Sequence, residues 1–249
     1  AVATRVGEQS VCRPFSLELS ISLYVSFRDG EPPERRSHAP ECQKSYTDRR
    51  PPRRNVPGTR ISHDAETGVS LRTPESEDAA FLQRSFTEPA LRHPLGTPLR
   101  RRREVESSLE SEEESSPSFL VCAGDDEGPG PVDEAELQRV GSVSVADIEY
   151  RRPDIAYWIA PERHAEGIGS TAVSLAVDYL FRTNDHPAVG AVAYEFNDAS
   201  RGLLESLGFE EEGRIRRDRF VDGEYVDTIH YGLLREDWWA DRPRHWREE

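Results

Sequence analysis

The most regular pattern of apolar and polar positions in the chain is helical and begins at Ile168. Apolar residues recur there at positions i, i+4, i+7, i+8, i+11 and i+12: Ile168, Ala172, Leu175, Ala176, Tyr179 and Leu180. This spacing places them on one face of a helix. The apolar run at residues 155–159 precedes the helix and predicts a strand. The glycine-containing loop between them, residues 164–169, therefore joins a strand to an amphipathic helix.

Shorter patterns predict the other elements of a mixed α/β fold. Alternating or continuous apolar runs predict strands at residues 69–71, 118–122, 140–148, 188–194, 209–215 and 225–234. Helices are predicted at residues 79–86 and 198–207, and the charged stretch 100–115 predicts a surface helix or a mobile loop. Residues 123–139 predict a long acidic turn. The strand at 140–148 is expected to pair with the next strand along the chain, and the element order predicts a mixed sheet of moderate size.

Residues 1–57 differ in composition from the rest of the chain. They hold 10 Lys and Arg against 7 acids, with Pro and Arg clusters such as residues 49–54, which is typical of disorder. Within them, residues 15–27 alternate apolar and mostly polar positions, the pattern of a half-buried strand. That strand either adds to a sheet edge or is an accident of an over-extended start. The chain contains no Met, which leaves the true start undecided. We expect a globular domain over residues 58–249.

The charge of the chain restricts its partners. The sequence has 47 Asp and Glu against 32 Lys and Arg, a net charge of −15, and Lys44 is its only lysine. From residue 61 onward, 40 acids stand against 21 arginines. A nucleic-acid partner is not expected, because contacts from Lys and Arg to phosphates supply most nucleic-acid affinity. The acidic, lysine-poor surface resembles that of proteins in molar salt, which screens self-repulsion, and predicts a halophilic, cytoplasmic protein.

Membrane, secreted and zinc-binding classes find no support in the sequence. No apolar run approaches the ~20 residues of a membrane-spanning helix, and no secretory leader pattern opens the chain. The three cysteines, Cys12, Cys42 and Cys122, are odd in number and lack metal-type spacing. We therefore expect no membrane partner, no disulfide framework and no metal.

The glycine loop at residues 164–169 has two interpretations. Glycine lacks a Cβ, so the loop backbone can approach a ligand closely and can adopt φ > 0. The free N–H groups of the first helical turn, with the hydroxyls of Ser170 and Thr171 nearby, would then hold a phosphate at the positive end of the helix dipole. Alternatively, the glycines serve only the bend between strand and helix. The hexapeptide alone leaves both interpretations open.

Three signatures in a fixed order carry a family resemblance. In chain order they are Tyr157-Trp158-Ile159-Ala160-Pro161 followed by residues 164–169; Asn197-Asp198-Ala199-Ser200 leading to Leu207-Gly208-Phe209; and Gly223-Glu224-Tyr225-Val226-Asp227 ending at residues 234–238. With the element order, they resemble the GNAT superfamily of acetyl-CoA-dependent N-acetyltransferases, most closely its RimJ/RimL-like branch, over about residues 58–239. The resemblance implies an α+β fold with a mixed, mostly antiparallel central sheet, flanking helices, and splayed strands at the CoA site.

The resemblance also implies contacts to acetyl-CoA. The implied contact residues are Trp158, Ile159, Ala160, His164, Glu166, Gly167, Ile168, Gly169, Ser170 and Asn197. Backbone N–H groups of residues 166–170 would hold the pyrophosphate, and the pantetheine arm would lie along residues 158–160. A bulge there would leave N–H groups free, and that of Ile159 would face the thioester oxygen. Two positions depart from the family: His164 stands where Gln or Arg is preferred, and Glu166 where a basic residue is common.

Three polar residues are candidates for the chemistry of acetyl transfer. An attacking amine arrives as an ammonium and must lose a proton. Glu195, at a strand end, is the first candidate base and Asp227 the second, while by family analogy Ser200 would protonate the departing thiolate. Each has a structural alternative, because Asn197 and Ser200 could cap the helix at Asp198 and both acids could be solvated strand residues.

The implied function is an acetyl-CoA-dependent N-acetyltransferase acting on a primary amine. The acceptor would be a protein N-terminal α-amine or a small amine, the enzyme a monomer or homodimer, and the acceptor pocket would lie between residues 81–103 and 216–225. Two alternatives stay open. One is a GNAT fold that binds acyl-CoA without catalysis. The other is a dinucleotide-binding oxidoreductase, because residues 167–172 fit Gly-x-Gly-x-x-Gly/Ala, although that fold needs the glycine directly after the strand and residues 160–166 intervene.

Overall fold

The structure is a computed structural model that describes residues 58–110, 117–124, 137–240 and 242. The disorder predicted for residues 1–57, including the strand predicted at residues 15–27, lies outside the described residues. Parts of the stretches predicted at 100–115 and 123–139 lie outside them as well.

The described residues form one eight-stranded sheet. Its strands are β1 (Arg60–Asp64), β2 (Val69–Arg72), β3 (Ser118–Gly124), β4 (Leu137–Ala146), β5 (Asp154–Ile159), β6 (Ala188–Tyr194), β7 (Glu210–Val221) and β8 (Glu224–Leu234). Their spatial order is β1-β2-β3-β4-β5-β6-β8-β7. Every neighbouring pair is antiparallel except β5 and β6, which are parallel. The predicted mixed, mostly antiparallel sheet is confirmed.

Helices cover both faces of this sheet. Those in the described ranges are α1 (Ala79–Leu82), α2 (Arg84–Thr87), α3 (Pro89–Leu95), α4 (Arg102–Glu110), α5 (Ile168–Thr183), α6 (Asp198–Ser206) and α7 (Arg235–Trp238), with 3-10 turns at Ser76–Asp78 and Pro161–Arg163. Successive side chains of β3 point to opposite faces of the sheet, and each face carries its own apolar cluster. Phe119 and Val121 pack in the main core with α5, whereas Leu120 and Cys122 pack with α1, α2 and α4.

Several predicted boundaries are wrong. The helix predicted at 79–86 is divided into α1 and α2 at Gln83, and residues 137–139 belong to β4 rather than to the acidic turn. The charged stretch 100–115 contains a true helix, α4, because Val105 is buried to 3% exposure against the second cluster. β1 has no predicted counterpart, since its sequence RISHD lacks alternation, and β7 extends six residues beyond its predicted end at 215.

The parallel pair β5–β6 opens along its length. Only Asp154↔Gly190 and Ile155↔Ala191 are paired, although β5 continues to Ile159 and β6 to Tyr194. A Cβ on Gly190 would lie 2.0 Å from Asp154 Oδ1, so only glycine allows this close approach at the paired end. The two strands therefore separate toward their carboxyl ends, which is the splay that the resemblance implied.

The predicted bulge in β5 is wrong. Six successive residues of β5 pair with β4 in unbroken register. The bulge lies instead in β4 on its β3 side, where Arg139 and Gly141 pair with adjacent residues of β3 and Val140 is left over. The opening next to β5 therefore arises because β6 diverges, and β5 itself stays regular.

Candidate functional site

The opening between β5 and β6 exposes peptide groups of β5. The N–H of Ala160 donates to Val140 O of β4 at 2.7 Å. Successive peptide groups of a strand point to opposite edges, so the N–H groups of Tyr157 and Ile159 point to the β6 edge, beyond the last β5–β6 pair. The N–H of Ile159 is therefore directed into the opening although β5 has no bulge, and its contact with a thioester oxygen stays a prediction.

The glycine loop ends beside this opening at the start of α5. Gly167 is the N-cap residue, has φ of 78°, and no side chain caps the helix. The first intrahelical bond is from Thr171 N–H to Gly167 O at 3.1 Å. The N–H groups of Ile168, Gly169 and Ser170 precede that bond and have no carbonyl partner within the helix. They form a positive end that suits an anion.

The two glycines of the loop serve different purposes. A Cβ on Gly167 would meet nothing within 4 Å, so only its left-handed conformation requires glycine. A Cβ on Gly169 would lie 2.9 Å from Leu203 Cδ1 and 3.6 Å from Ile159 Cγ1. Gly169 therefore lets α5 approach α6 and β5 closely. Gly167 therefore serves the bend and Gly169 the close packing. In addition, the N–H groups at the start of α5 stay uncapped.

The departures at His164 and Glu166 have local partners. His164 Nε2 lies 2.8 Å from Ile159 O, and since a carbonyl only accepts, Nε2–H is the donor. Arg163 Nη2 lies 2.9 Å from Glu166 Oε2, and the hydrogen bond from Arg163 lowers the pKa of Glu166. Arg163 also donates to Gln138 Oε1 at 3.0 Å. The sequence pattern did not single out Arg163, which offsets the charge of Glu166 within the loop.

The side chain of Trp158 is half-buried and that of Ala160 is buried. The Trp158 ring stacks on Phe81 of α1 with centroids 5.1 Å apart, and Ala160 is buried. Arg84 lies over the Phe81 ring and pairs with Glu162 at 2.9 Å. These contacts attach the loop that follows β5 to α1 and α2.

A pair of hydroxyl groups bridges β5 and α6. Ser200 Oγ lies 2.9 Å from the Tyr157 hydroxyl, and burial raises the pKa of Tyr157 to about 12. Asn197 Oδ1 accepts from the N–H of Ser200 at 3.2 Å, so Asn197 does cap α6. The Ser200 hydroxyl is directed to Tyr157 and is not needed for the cap. Tyr157 alternates with Ile155 and Ile159, and that pattern could have placed it on the same face.

The two candidate bases are brought together by one arginine. Arg214 lies 3.5 Å from Glu195 Oε2 and 3.4 Å from Asp227 Oδ2. Glu195 Oε1 also accepts from Asp227 N–H at 3.2 Å, and Asp227 Oδ1 accepts from Arg217 N–H at 2.9 Å. Glu195 is the more accessible acid, with 38% of its side chain exposed against 17% for Asp227. Arg214 was not predicted, because its partners lie on other strands.

The two segments expected around the acceptor pocket do meet. A cavity of about 310 Å³ is lined by Arg92, His93, Gly96, Thr97 and Pro98 from the end of α3 and by Phe220, Val221 and Asp222 from the β7–β8 hairpin. Gly96 has φ of 63° and ends α3, and the Tyr194 hydroxyl occupies the place where its Cβ would be. The cavity is therefore connected to the carboxyl end of β6.

The described part of the chain contains neither a metal-type cluster nor a membrane-spanning helix. None of its His, Cys, Asp and Glu side chains group as a metal ion would require. None of its helices is both long enough and apolar enough to span a membrane.

The fold and this site fit one protein family. The model of the acetyltransferase (GNAT) domain matches residues 69–210. Because the match includes more than half of the chain, the protein belongs to the GNAT acetyltransferase family.

Individual proteins match this chain over shorter stretches than the family model does. The spermidine N(1)-acetyltransferase of Vibrio cholerae is 33% identical over 107 residues, which are 42% of this chain and 61% of that protein. The ribosomal protein uS5 alanine N-acetyltransferase of Escherichia coli is 29% identical over 111 residues, 44% and 57% of the two chains. The chain spans about half to three-fifths of the length of the curated relatives it matches.

A solved structure shows the same fold. The spermidine N-acetyltransferase from Vibrio cholerae, in complex with CoA and spermine, has a TM-score of 0.58 and 21% identity to this chain, covering 69% of it and 98% of that chain. The sheet, with its single parallel pair among the described strands, is not the doubly wound parallel sheet of a dinucleotide-binding oxidoreductase. That alternative is wrong.

Proposed function

We propose that the protein is an acetyl-CoA-dependent N-acetyltransferase that acts on a primary amine. The observation that carries the proposal is the opening of β5 from β6 directly beside the uncapped N-terminus of α5. One end of this arrangement offers N–H groups to a pyrophosphate, and the other offers strand N–H groups to an extended amide chain. Membership of the GNAT family supports the same cofactor.

The chain's own groups suit each part of a direct transfer. When bound, acetyl-CoA supplies the thioester carbonyl that the amine attacks. The N–H groups of residues 168–170 hold the pyrophosphate, with His164, Glu166 and Asn197 at the rim. The N–H of Ile159 donates to the carbonyl oxygen as negative charge develops there. Holding both reactants in line removes much of the entropic barrier.

Proton transfers are assigned to the polar residues at the opening. Ser200 Oγ–H gives a proton to the departing thiolate and regains one from the attacking nitrogen, which loses its second proton as the amide forms; the adjacent Tyr157 hydroxyl orients Ser200. Glu195 takes the proton of the ammonium through water, with Asp227 the second candidate. Because both acids contact Arg214, an incoming ammonium competes with that guanidinium for them.

The acceptor is an amine of a peptide N-terminus, as in the RimJ/RimL-like branch, or a small amine. Relatives named for a ribosomal protein alanine and for spermidine represent both types. The other candidate function is a GNAT fold that binds acyl-CoA without turnover, which the pairing of both acids with Arg214 favours.

Calorimetric titration of acetyl-CoA, at low and molar KCl, tests the proposal. We expect binding in the wild type and loss of at least about tenfold in affinity for Gly167→Glu, because a carboxylate would stand beside the pyrophosphate. Gly167→Asn tolerates the left-handed conformation and should bind almost normally. Gly202→Glu, on an exposed helical site where a Cβ meets nothing within 4 Å, is the matched control.

Turnover is measured separately, as CoA release with a panel of peptides and small amines. Release with any primary amine supports the enzyme, and binding without release supports the silent module. Absence of acetyl-CoA binding in every salt concentration would refute both.

A further inference from the structure

A strained bulge in β7 presents arginines beside the open end of β6. Between the pairs Ile215↔Thr228 and Arg219↔Val226, residues 216–218 of β7 lie opposite the single residue Asp227 of β8. Arg217 has φ of 53°, which is unfavourable for a residue with a Cβ. Strain of this kind persists where surrounding bonds hold it, often at functional sites.

Two side chains of the neighbouring strand hold the bulge in place. Asp227 Oδ1 accepts from Arg217 N–H at 2.9 Å, and Thr228 Oγ1 donates to Asp218 Oδ2 at 3.0 Å. The conformation of residues 216–218 is thus fixed through bonds to backbone and to Asp218. The guanidinium groups of Arg216 and Arg217 are not needed for it.

Two of the arginines keep their charge unneutralised. Arg214 is shared by Glu195 and Asp227, and Arg219 pairs with Asp218 at 3.4 Å. Within the described residues, Arg216 and Arg217 have no ion pair and are exposed.

The arginines line a recess near the reaction site. The recess has a volume of about 750 Å³ and is lined by Arg214, Ile215, Arg216, Arg217 and Asp227. Ile215 of β7 and Tyr194 of β6 both pair with Thr228 of β8. Neighbouring strands are ~4.8 Å apart, so Ile215 lies about 10 Å from Tyr194. Tyr194 ends the strand that separates from β5.

From this geometry we infer that Arg216 and Arg217 bind a carboxylate carried by the acceptor amine. This assignment rests on the proposed function and specifies its substrate class: peptides or small amines with an acidic group near the amine. A guanidinium forms charge-assisted, often bidentate, hydrogen bonds with a carboxylate. The positive charges of Arg216 and Arg217 would repel a positively charged polyamine at the same place. The alternative ligand of the same arginines is a phosphate group of CoA. The experiment distinguishes that phosphate from a carboxylate of the acceptor.

The test compares three tripeptide amides, Ala-Asp-Ala, Ala-Asn-Ala and Ala-Lys-Ala, with spermidine as acceptors. We expect the highest kcat/KM for the aspartyl peptide. In Arg216→Gln/Arg217→Gln this value should fall at least tenfold, mostly through KM, while the asparaginyl peptide changes less than twofold. Replacement of both by lysine should restore part of the loss. Arg151→Gln, on the exposed turn before β5, is the control and should change neither.

Binding measurements keep the inference separate from catalysis. The affinity for acetyl-CoA should be equal in wild type and double variant; weaker binding would assign the arginines to a CoA phosphate and overturn the proposal. Equal losses for the aspartyl and asparaginyl peptides, or a preference for spermidine, would also overturn it. If no amine is acetylated, the proposed function fails, and titration of N-acetyl-Ala-Asp-Ala amide against both proteins still decides whether the arginines bind the carboxylate.

Discussion

At the scale of single residues, the proposed protonation of the leaving group by Ser200 depends on one contact, the Tyr157–Ser200 hydroxyl pair. The two oxygens are 2.9 Å apart, and a serine hydroxyl without this partner would rotate freely or turn to a helix carbonyl. When Tyr157 donates to Ser200 Oγ, the serine hydrogen is left for the thiolate. In the proposed mechanism Tyr157 is therefore a positioning residue.

Replacement of Tyr157 by Phe should lower kcat about ten- to a hundredfold, which corresponds to about 1.4–2.7 kcal/mol, with an unchanged Kd for acetyl-CoA. The Tyr157→Phe/Ser200→Ala double variant should be no slower than Ser200→Ala, because the two changes remove one unit. Tyr179→Phe, a second partly buried tyrosine that packs on Phe119, serves as control.

The pH profile tests whether the Tyr157 hydroxyl acts in its protonated form. Burial raises the pKa of Tyr157 to about 12, so the phenol stays protonated from pH 6 to 10. The ratio of wild-type to Tyr157→Phe kcat should consequently be constant over that range. A ratio that collapses at a midpoint below pH 9 would contradict the assignment.

At the scale of elements, the paired end of β5 and β6 determines where the strands can separate. Gly190 admits Asp154 at that end, and Gly190 N–H donates to Pro153 O at 2.8 Å. Asp154 is half-buried, and this burial raises the pKa of its carboxyl. The two-pair ladder is thus held by close packing at one residue.

Gly190→Ala should destabilise the fold by about 1–3 kcal/mol, the cost of inserting a group into a packed site, and should also weaken acetyl-CoA binding. Urea unfolding and calorimetric titration measure the two effects. Gly213→Ala in β7, where a Cβ meets no atom within 4 Å, should leave both nearly unchanged. If the Gly190→Ala protein is destabilised but binds acetyl-CoA with normal affinity, the packing at Gly190 does not shape the binding site.

Elements with strong local patterns were predictable, and contacts between distant elements were not. The seven-residue run of β6 and the start of α5 at Ile168 agree with their predicted bounds, because apolar periodicity is a local signal. The contacts of Arg214 with Glu195 and Asp227 join three strands, so no periodicity reports them. His164 likewise turned to the Ile159 carbonyl, which depends on the conformation of the loop rather than on residue type.

At the scale of the whole molecule, charge is the dominant property. Halophilic behaviour stays a prediction that rests on the net charge of −15 and the single lysine. The described ion pairs, such as Arg182 with Asp178 and Arg102 with Glu106, are mostly exposed and local, and exposed pairs contribute little. They do not offset the excess of acids, so self-repulsion is left for salt to screen.

Raising KCl from about 0.1 to 2 M should therefore increase the melting temperature by about 5 °C or more, since about 1–2 kcal/mol shifts a protein of this size by that amount. Differential scanning calorimetry at several KCl concentrations measures it. A melting temperature that falls with salt would contradict the halophilic prediction.

The two-pair ladder between β5 and β6 divides the sheet into β1–β5 and β6-β8-β7, and each part is one uninterrupted stretch of sequence. The glycine loop belongs to the first stretch, and the β7 bulge with Arg216 and Arg217 belongs to the second. If the proposed site is correct, substitutions in the β7–β8 hairpin would change acceptor recognition without altering the glycine loop. The acceptor cavity also takes residues 92–98 from the first stretch, so a new acceptor specificity would arise by changing one wall of a cavity whose other wall stays with the glycine loop.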